Sequence, residues 1–204
     1  MLEIDHVILV VPDLDGGGRQ LRSEFGLDSI PGGRHAGHGT GNRIVPLGDT
    51  YLELMAVVDP TEAIESPMGQ WAAMHTTTDL TPAAVCLRTD DIEPIAAVVG
   101  EVPESMSRTR PDGSILAWKL AGLTGMLGQE NLPFFIEWLG DPQDHPGATQ
   151  VDHAADVVGI TEVTIGSPGA LSSTVADVEG ITVASGSGVV RAVIATSNGS
   201  ITFG

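Results

Sequence analysis

The sequence predicts an α+β protein in which a βαβββ unit occurs twice and a shorter βαβββ-like unit follows. Three observations predict it: short segments of strand-forming residues, turns between them, and a helix start that recurs in the second unit. The chain has 204 residues, with 26 glycines and 13 prolines, as expected for many short strands joined by turns. Its hydrophobic fraction of 42% and charged fraction of 18% are those of a folded protein.

The first unit, residues 1–60, begins with a segment of β-branched residues that Pro12 and Asp13 close with a turn. Asp13 or Asp15 can cap the helix that follows, and Gly26 ends it. The glycine-rich stretch GGRHAGHGTG separates two short strands, and TYLELMAVV predicts the last strand. The predicted elements are a strand at Ile4–Val11, a helix to Phe25, and strands at Asp28–Pro31, Arg43–Leu47 and Thr50–Val58.

The second unit, residues 82–150, follows a linker at 61–81 in which SPMGQWAAM predicts a short helix. Its helix start DIE corresponds to DLD in the first unit, which aligns Ala84 with His6. A similar number of residues then separates Ala84 from Glu137 and His6 from Glu53, and this argues for duplication. The predicted elements are a helix to Val99, a turn at Pro111–Gly113, and strands at Ala83–Arg88, Ser105–Arg108, Ile115–Leu120 and LPFFIEWLG.

The C-terminal segment, residues 158–204, is low in charge and rich in Val, Thr, Ser and Gly. ITEVTIG, ITVAS, VVRAVIAT and SITFG predict strands and PGALSSTVADV a short helix, which together form a partial third unit. Since such units pair, an odd one would lack a partner face. We therefore expect a homodimer in which the segments from about Val158 meet, or a segment that extends the sheet of its own chain.

The charge balance excludes whole classes of partner. Nine basic residues face 27 acidic ones, a net charge of −18, so a polyanion would be repelled. The sequence has no basic patch or basic amphipathic stretch, which argues against nucleic acid and membrane partners alike. The single cysteine, Cys86, fits a reducing compartment, and LEIDHVILVV is too short for a membrane anchor. We expect a cytoplasmic protein that binds a small molecule.

Four segments resemble the glyoxalase-like branch of the vicinal-oxygen-chelate superfamily: IDHVILVVPDLD, GGRHAGHGTGNRIVPLGDTYLELMAVVDP, LRTDDIE and LPFFIEW…DHPGA. The likeness is strong over residues 1–150 and weak beyond them. It implies paired modules whose strands wrap into a cup-shaped mixed sheet with flanking helices. In metal-using members, the first and the last strand of each module each offer one ligand to a divalent ion.

Transferred to this chain, these positions imply His6, Glu53 and Glu137 as metal ligands. The fourth position falls on Ala84, or on Ala83 if the register slips by one, and alanine cannot bind a metal. One imidazole and two carboxylates suit Zn, Ni, Fe, Mn or Mg, and a cup without metal is an equal alternative.

Strand alternation places Tyr51 and Glu53 on one face of their strand, and sets Trp138 opposite Glu137. Each candidate carboxylate then lies among apolar neighbours, where an unpaired charge is costly. A cation, a histidine, an arginine or hydrogen bonds should offset that cost. Without a metal, we expect Glu53 to pair with an arginine, either Arg43 or Arg34.

The resemblance implies a metal-dependent lyase or isomerase that acts on a small substrate with vicinal oxygens, with Glu53 or Glu137 as catalytic base. The alternative is a metal-free binding protein of the antibiotic-sequestering kind, so whether the chain is an enzyme stays open. An extradiol dioxygenase is disfavoured, because the predicted strands supply no second histidine. Loop histidines His35 and His38 are candidates for the missing ligand, and the expected substrate-binding residues are Arg43, Asn42, Tyr51 and His35.

Overall fold

The computed structural model describes residues 1–109, 113–128, 132–166 and 169–204. The strands are β1 (Glu3–Val10), β2 (Ile30–His35), β3 (Thr40–Pro46), β4 (Tyr51–Val57), β5 (Pro82–Arg88), β6 (Glu104–Thr109), β7 (Ile115–Ala121), β8 (Phe134–Leu139), β9 (Val157–Gly166), β10 (Ile181–Ala184), β11 (Val189–Thr196) and β12 (Gly199–Phe203). The helices are α1 (Leu14–Phe25), α2 (Pro60–Ala63), α3 (Pro67–His75), α4 (Glu93–Val99), α5 (Leu123–Leu127) and α6 (Ser172–Ala176). In the part of the chain described, no helix is long and apolar enough to cross a membrane.

Local sequence signals set the ends of α1 as expected. Asp13 is its N-cap and accepts a hydrogen bond from the Gly16 amide, while Gly26 ends it at φ 69°, a left-handed conformation that glycine adopts without strain. The predicted turn at Pro111–Gly113 falls largely outside the described residues, as does the start of the last predicted helix, at residue 168.

The two modules form one eight-stranded sheet in the order β2-β3-β4-β1-β5-β8-β7-β6. In each module the first strand pairs in parallel with the last, β1 with β4 and β5 with β8, and β1 and β5 join the modules in antiparallel. The sheet curls until its two edges approach: the Arg108 guanidinium on β6 lies 3.7 Å from where a Cβ would stand at Gly33 on β2. The predicted α+β fold with paired βαβββ modules in a cup is confirmed.

The strands divide their side chains between two apolar clusters. Val7 and Leu9 of β1 pack on the outer face with residues of α1 and α4, whereas Ile8 and Val10 pack on the inner, concave face. The concave face is also covered by residues of α3 and α5, including Trp71. Burial on both faces explains why the central strands read as nearly continuous apolar runs.

The C-terminal unit has the expected βαβββ element order but a different pairing. Its first strand, β9, lies between β10 and β11, whereas the first strand of each module pairs with the last. It forms a separate four-stranded sheet, so the expectation that it extends the larger sheet is wrong. Val163, Ile165 and Ile194 join the outer apolar cluster of the modules, which covers the face we expected to need a partner. The homodimer stays a prediction without that support.

Candidate functional site

A bulge in β1 supplies the first two polar side chains of the site. Opposite β5, the pairing moves from Ile4–Leu87 to His6–Cys86, so β1 advances two residues while β5 advances one. Such a bulge leaves one residue unpaired and re-aims the neighbouring side chains. Asp5 is that residue, and it is fully buried beside a His6 that is only 3% exposed.

Three hydrogen bonds hold the buried Asp5 carboxylate. Its Oδ1 lies 2.6 Å from His6 Nδ1, and its Oδ2 accepts from Trp138 Nε1 at 2.9 Å and His145 Nε2 at 3.0 Å. The other ring nitrogen of His145 accepts from the Gly147 amide, so Nε2 carries the donated proton. Burial raises the pKa of Asp5, but the bonds and charges of His145 and His6 outweigh burial and hold that pKa well below its usual range.

Asp5 and Tyr51 together fix the orientation of His6. Because the Asp5 carboxylate can only accept, His6 Nδ1 carries a proton, and in the neutral ring Nε2 presents a lone pair. The Tyr51 ring stacks on the imidazole with centroids 4.4 Å apart. His6 Nε2 lies 3.7 Å from Glu53 Oε2, beyond hydrogen-bonding distance.

Glu53 on β4 is 7% exposed and faces two histidines. Its Oε1 accepts a hydrogen bond from Asn42 Nδ2 at 3.0 Å and lies 3.8 Å from His35 Nε2. Asn42 is oriented for this role because its own Oδ1 accepts from the Gly33 amide at 2.7 Å. Asn42 and His35, both predicted at the substrate site, therefore do meet Glu53.

His35 is a neutral acceptor at this site. It lies at the end of β2 rather than in a loop, its Nδ1 is 2.9 Å from Thr40 Oγ1, and its Nε2 accepts from Asn42 Nδ2 at 3.3 Å. Burial lowers the pKa of His35, against the opposing charge of Glu53. The second histidine that the predicted strands seemed to lack is therefore supplied by β2.

Three acceptors thus converge: the Nε2 atoms of His6 and His35 and the carboxylate of Glu53. Among the described residues only Asn42 donates to this group. In the described chain no fully buried side-chain N or O lacks a hydrogen-bond partner, so His6 Nε2, which has none, must reach open space. Two imidazoles and a carboxylate fit a divalent ion, which would neutralise the carboxylate and accept both lone pairs.

The Tyr51 hydroxyl completes this group as a donor. It makes no hydrogen bond within the described residues, so by the same reasoning it too is reachable. Burial, then the charges of Asp5 and Glu53, raises the pKa of Tyr51 well above its usual value. The phenol therefore keeps its proton and can donate it to a bound molecule.

A second cluster of potential ligands lies directly beneath. Ligand atoms of Asp5, His6 and Cys86 all lie within 4.8 Å of one another. Two features make it a weaker metal site: the first two side chains are hydrogen-bonded to each other, and burial raises the pKa of the Cys86 thiol well above its usual value. A protonated thiol is a poor ligand.

The structure does not bring Glu137 to His6 and Glu53, which corrects the placement we expected. The concave face of β8 carries Phe134 and Ile136, and alternation turns Glu137 outwards. There its Oε2 accepts from the Ile92 amide at 3.1 Å, at the start of α4, and lies 3.4 Å from Lys119 Nζ. Glu137 therefore stabilises a helix start on the opposite face of the sheet.

Arg43 also lies away from the site. It bonds Ser29 through Nε and Nη2 and pairs with Asp15 at 3.0 Å, beside α1. Arg34 pairs with two carboxylates near α2 instead. The expected pairing of Glu53 with either arginine is therefore not found, and histidines take their place.

Sequence reasoning missed the role of three residues around His6. It took His145 for a turn residue near the cup and Trp138 for core packing, whereas both donate to Asp5. Asp5 itself was not singled out, although an acidic residue within the most apolar strand is a signal that could have found it.

Two clefts accompany the site without containing His6 or Glu53. One of about 350 Å³ includes Trp138 and His145, behind Asp5, and an open one of about 400 Å³ includes Asn42 and Arg43. The site is most open at His35, whose side chain is 23% exposed. We therefore place its entrance at the His35 side.

Comparison with solved structures returns the same fold. A hypothetical protein from Staphylococcus aureus is 16% identical, with 93% of this chain and 88% of that chain covered and a TM-score of 0.69. A single-residue variant of the methylmalonyl-CoA epimerase of Streptomyces coelicolor, in complex with 2-nitronate-propionyl-CoA, is 17% identical over 68% of this chain and 98% of that one, with a TM-score of 0.44. The epimerase of Mycobacterium tuberculosis is 14% identical over 68% and 89%, at 0.44.

No curated protein matches the chain. A family model described as a glyoxalase-like domain matches residues 4–181, nearly the whole length of the two modules and part of the C-terminal unit. This agrees with the resemblance that the strand motifs carry. The chain belongs to the glyoxalase-like domain family.

Proposed function

We propose that the chain is a metal-dependent lyase or isomerase that acts on a small substrate with two adjacent oxygens. The observation that carries the proposal is the convergence of two imidazole lone pairs and one carboxylate, from His6, His35 and Glu53, with a single donor among them. These three side chains would hold the ion, which supplies Lewis acidity to both substrate oxygens.

The residues around the ligands keep them in place. The Asp5 carboxylate holds the proton on His6 Nδ1, so that Nε2 stays free, and Tyr51 fixes the plane of the ring. Asn42 engages Glu53 Oε1 and leaves Oε2 without a hydrogen bond. Oε2 is therefore the atom that takes a proton from the substrate carbon beside the polarised oxygen, as a general base shielded from water.

Metal analysis of untagged protein tests the proposal. We expect about one divalent ion per chain, or its uptake on titration with Mn²⁺, Zn²⁺, Ni²⁺ or Fe²⁺. Glu53→Gln and His35→Ala should each weaken binding at least about tenfold. Glu137→Gln is the matched control, since that carboxylate lies on the other face and its loss should leave affinity unchanged. A wild type that binds none of the four ions contradicts the proposal.

The second candidate is a metal-free binding protein, in which a proton takes the place of the ion. A doubly protonated His6 would lie between two carboxylates, those of Asp5 and Glu53, at 2.6 and 3.7 Å. Nuclear magnetic resonance of the imidazole distinguishes the two: this candidate requires a His6 that stays protonated above neutral pH and is unaffected by added metal.

The histidine on β2 also bears on reaction type. Two histidines and one carboxylate form the ligand set of non-haem Fe(II) oxygenases, so the sequence argument against a dioxygenase loses its basis. Metal identity decides: oxygen consumption by iron-loaded protein with a catechol would favour the dioxygenase, and activity with Zn²⁺ or Ni²⁺ under argon the lyase or isomerase.

We further propose a small molecule as the natural partner, a homodimeric assembly and a cytoplasmic location. The support is the net charge of −18, which disfavours polyanions, and the single, buried Cys86. Light scattering tests the assembly, and a monomer at all concentrations would exclude the dimer.

A further inference from the structure

Arg108 stands out among the basic residues of this acidic chain. Among residues 1–109, 113–128, 132–166 and 169–204, it is the one Lys or Arg side chain with no carboxylate within 4.0 Å. The others have such a partner at 2.6 to 3.8 Å: Arg19, Arg22, Arg34, Arg43, Arg88, Lys119 and Arg191. With 27 acidic residues in the sequence, an arginine without one is unusual.

The position of Arg108 connects it to the site. The curl of the sheet brings its Nη1 3.7 Å from the Cβ direction of Gly33, whose amide donates to Asn42, the residue that orients Glu53. Its charge also acts on the pKa of His35, which it lowers, and on that of Tyr51, where it opposes the rise due to burial. Arg108 is partly exposed, so it lies at the entrance beside His35.

We propose that Arg108 binds the carboxylate of the substrate, so that the substrate is a small 2-hydroxy or 2-oxo acid. A guanidinium forms two parallel hydrogen bonds to a carboxylate, and a bound acid would give Arg108 the anionic partner that the protein withholds. The inference rests on the proposed function for the oxygen adjacent to the acid group and on Arg108 for the acid itself.

Charge argues for a carboxylate rather than a phosphate. The site already contains the buried anions Asp5 and Glu53, and one guanidinium can neutralise one negative charge. A dianionic phosphate would leave a second charge facing them, in a chain of net charge −18. A singly charged planar acid meets both the charge and the geometry.

Calorimetric titration with lactate and with 1,2-propanediol tests the inference, because the two share a carbon skeleton and a hydroxyl but only lactate has the acid. Metal-loaded wild type should prefer lactate by about tenfold or more. Arg108→Gln should abolish most of that preference, and Arg108→Lys should retain part of it, since the charge remains without the fork. Arg191→Gln, at an exposed pair on the C-terminal sheet, is the matched control and should change nothing.

The outcomes separate this inference from the proposed function. If metal binds normally but Arg108→Gln keeps the lactate preference, the inference is overturned and the proposed function stands. If no metal binds but lactate binding still depends on Arg108, the proposed function fails and the acid site stands. A wild type that does not distinguish lactate from the diol, or that binds inorganic phosphate more tightly than lactate, also overturns the inference.

Discussion

The two halves of the cup share one topology but not one chemistry. The concave face of the first module carries His6, Tyr51 and Glu53, whereas the second carries Phe134 and Ile136 at the same stage of its own sheet. Helix α5 lies over that second half, with Met126 in the apolar cluster. Duplication has thus produced one half that holds the site and one that supports it.

The contrast teaches how a buried polar group is maintained in an apolar strand. The apolar half is stabilised by removing surface from water and needs no partner for each atom. The polar half needs partners for every buried atom, and it draws two of them from beyond its own module: Trp138 on β8 and His145 in the following turn. The supporting half therefore contributes donors as well as packing.

The largest expected effect comes from removing the group that joins the halves. Asp5→Ala would leave two buried donors, on Trp138 and His145, without an acceptor, so we expect a loss of about 3 kcal/mol in the free energy of unfolding. Urea denaturation measures it. Glu3→Ala, on the same strand but half-exposed and paired only with Arg88, should cost less than about 1 kcal/mol. Equal costs would mean that Asp5 joins nothing.

The same carboxylate predicts a pH dependence. The pKa of Asp5 is lower in the folded than in the unfolded chain, so the unfolded chain takes up a proton first as pH falls. The stabilisation by Asp5 is complete above the unfolded pKa, near about 4, and is lost as pH falls below it. The difference in unfolding free energy between wild type and Asp5→Asn should therefore shrink from about pH 5 downwards. A constant difference would contradict an ionised Asp5.

Removing one donor sharpens the comparison on a smaller scale. Trp138→Phe keeps the ring on the concave face but deletes the indole N–H, which should cost about 1 kcal/mol in unfolding free energy. It should also weaken the hold on His6 and so lower metal affinity modestly. Trp118→Phe, on the neighbouring strand, is the control for loss of an indole that makes no bond to Asp5. Identical metal affinities in all three proteins would remove Trp138 from the site.

The smallest expected effect concerns the glutamate of the supporting half. Glu137→Gln weakens a partly buried contact with Lys119 while keeping an acceptor for the Ile92 amide, so we expect a cost of less than about 1 kcal/mol. Thermal denaturation with and without metal measures both properties. Should Glu137→Gln lose the metal, the division between the halves described above would be broken.

Element order was predictable from local signals, but side-chain placement required the tertiary structure. Asp13 and Gly26 define α1 by short-range chemistry, and the repeat of its start gave the second module. The face of Glu137 was misassigned because a one-residue offset in register reverses every side chain of a strand. Asp5 was missed because a bulge is set by the partner strand, and His35 because only pairing with β3 shows that its segment is a strand.

The central claim is that the first module alone supplies the ligands of a divalent ion. Anomalous diffraction at the absorption edge of the bound metal tests it most directly, in crystals of protein loaded with Mn²⁺ or Zn²⁺. The account predicts one peak within about 2.0–2.3 Å of His6 Nε2, His35 Nε2 and a Glu53 oxygen. A peak at Asp5 and Cys86, or beside Glu137, or no peak under saturating metal, would contradict it.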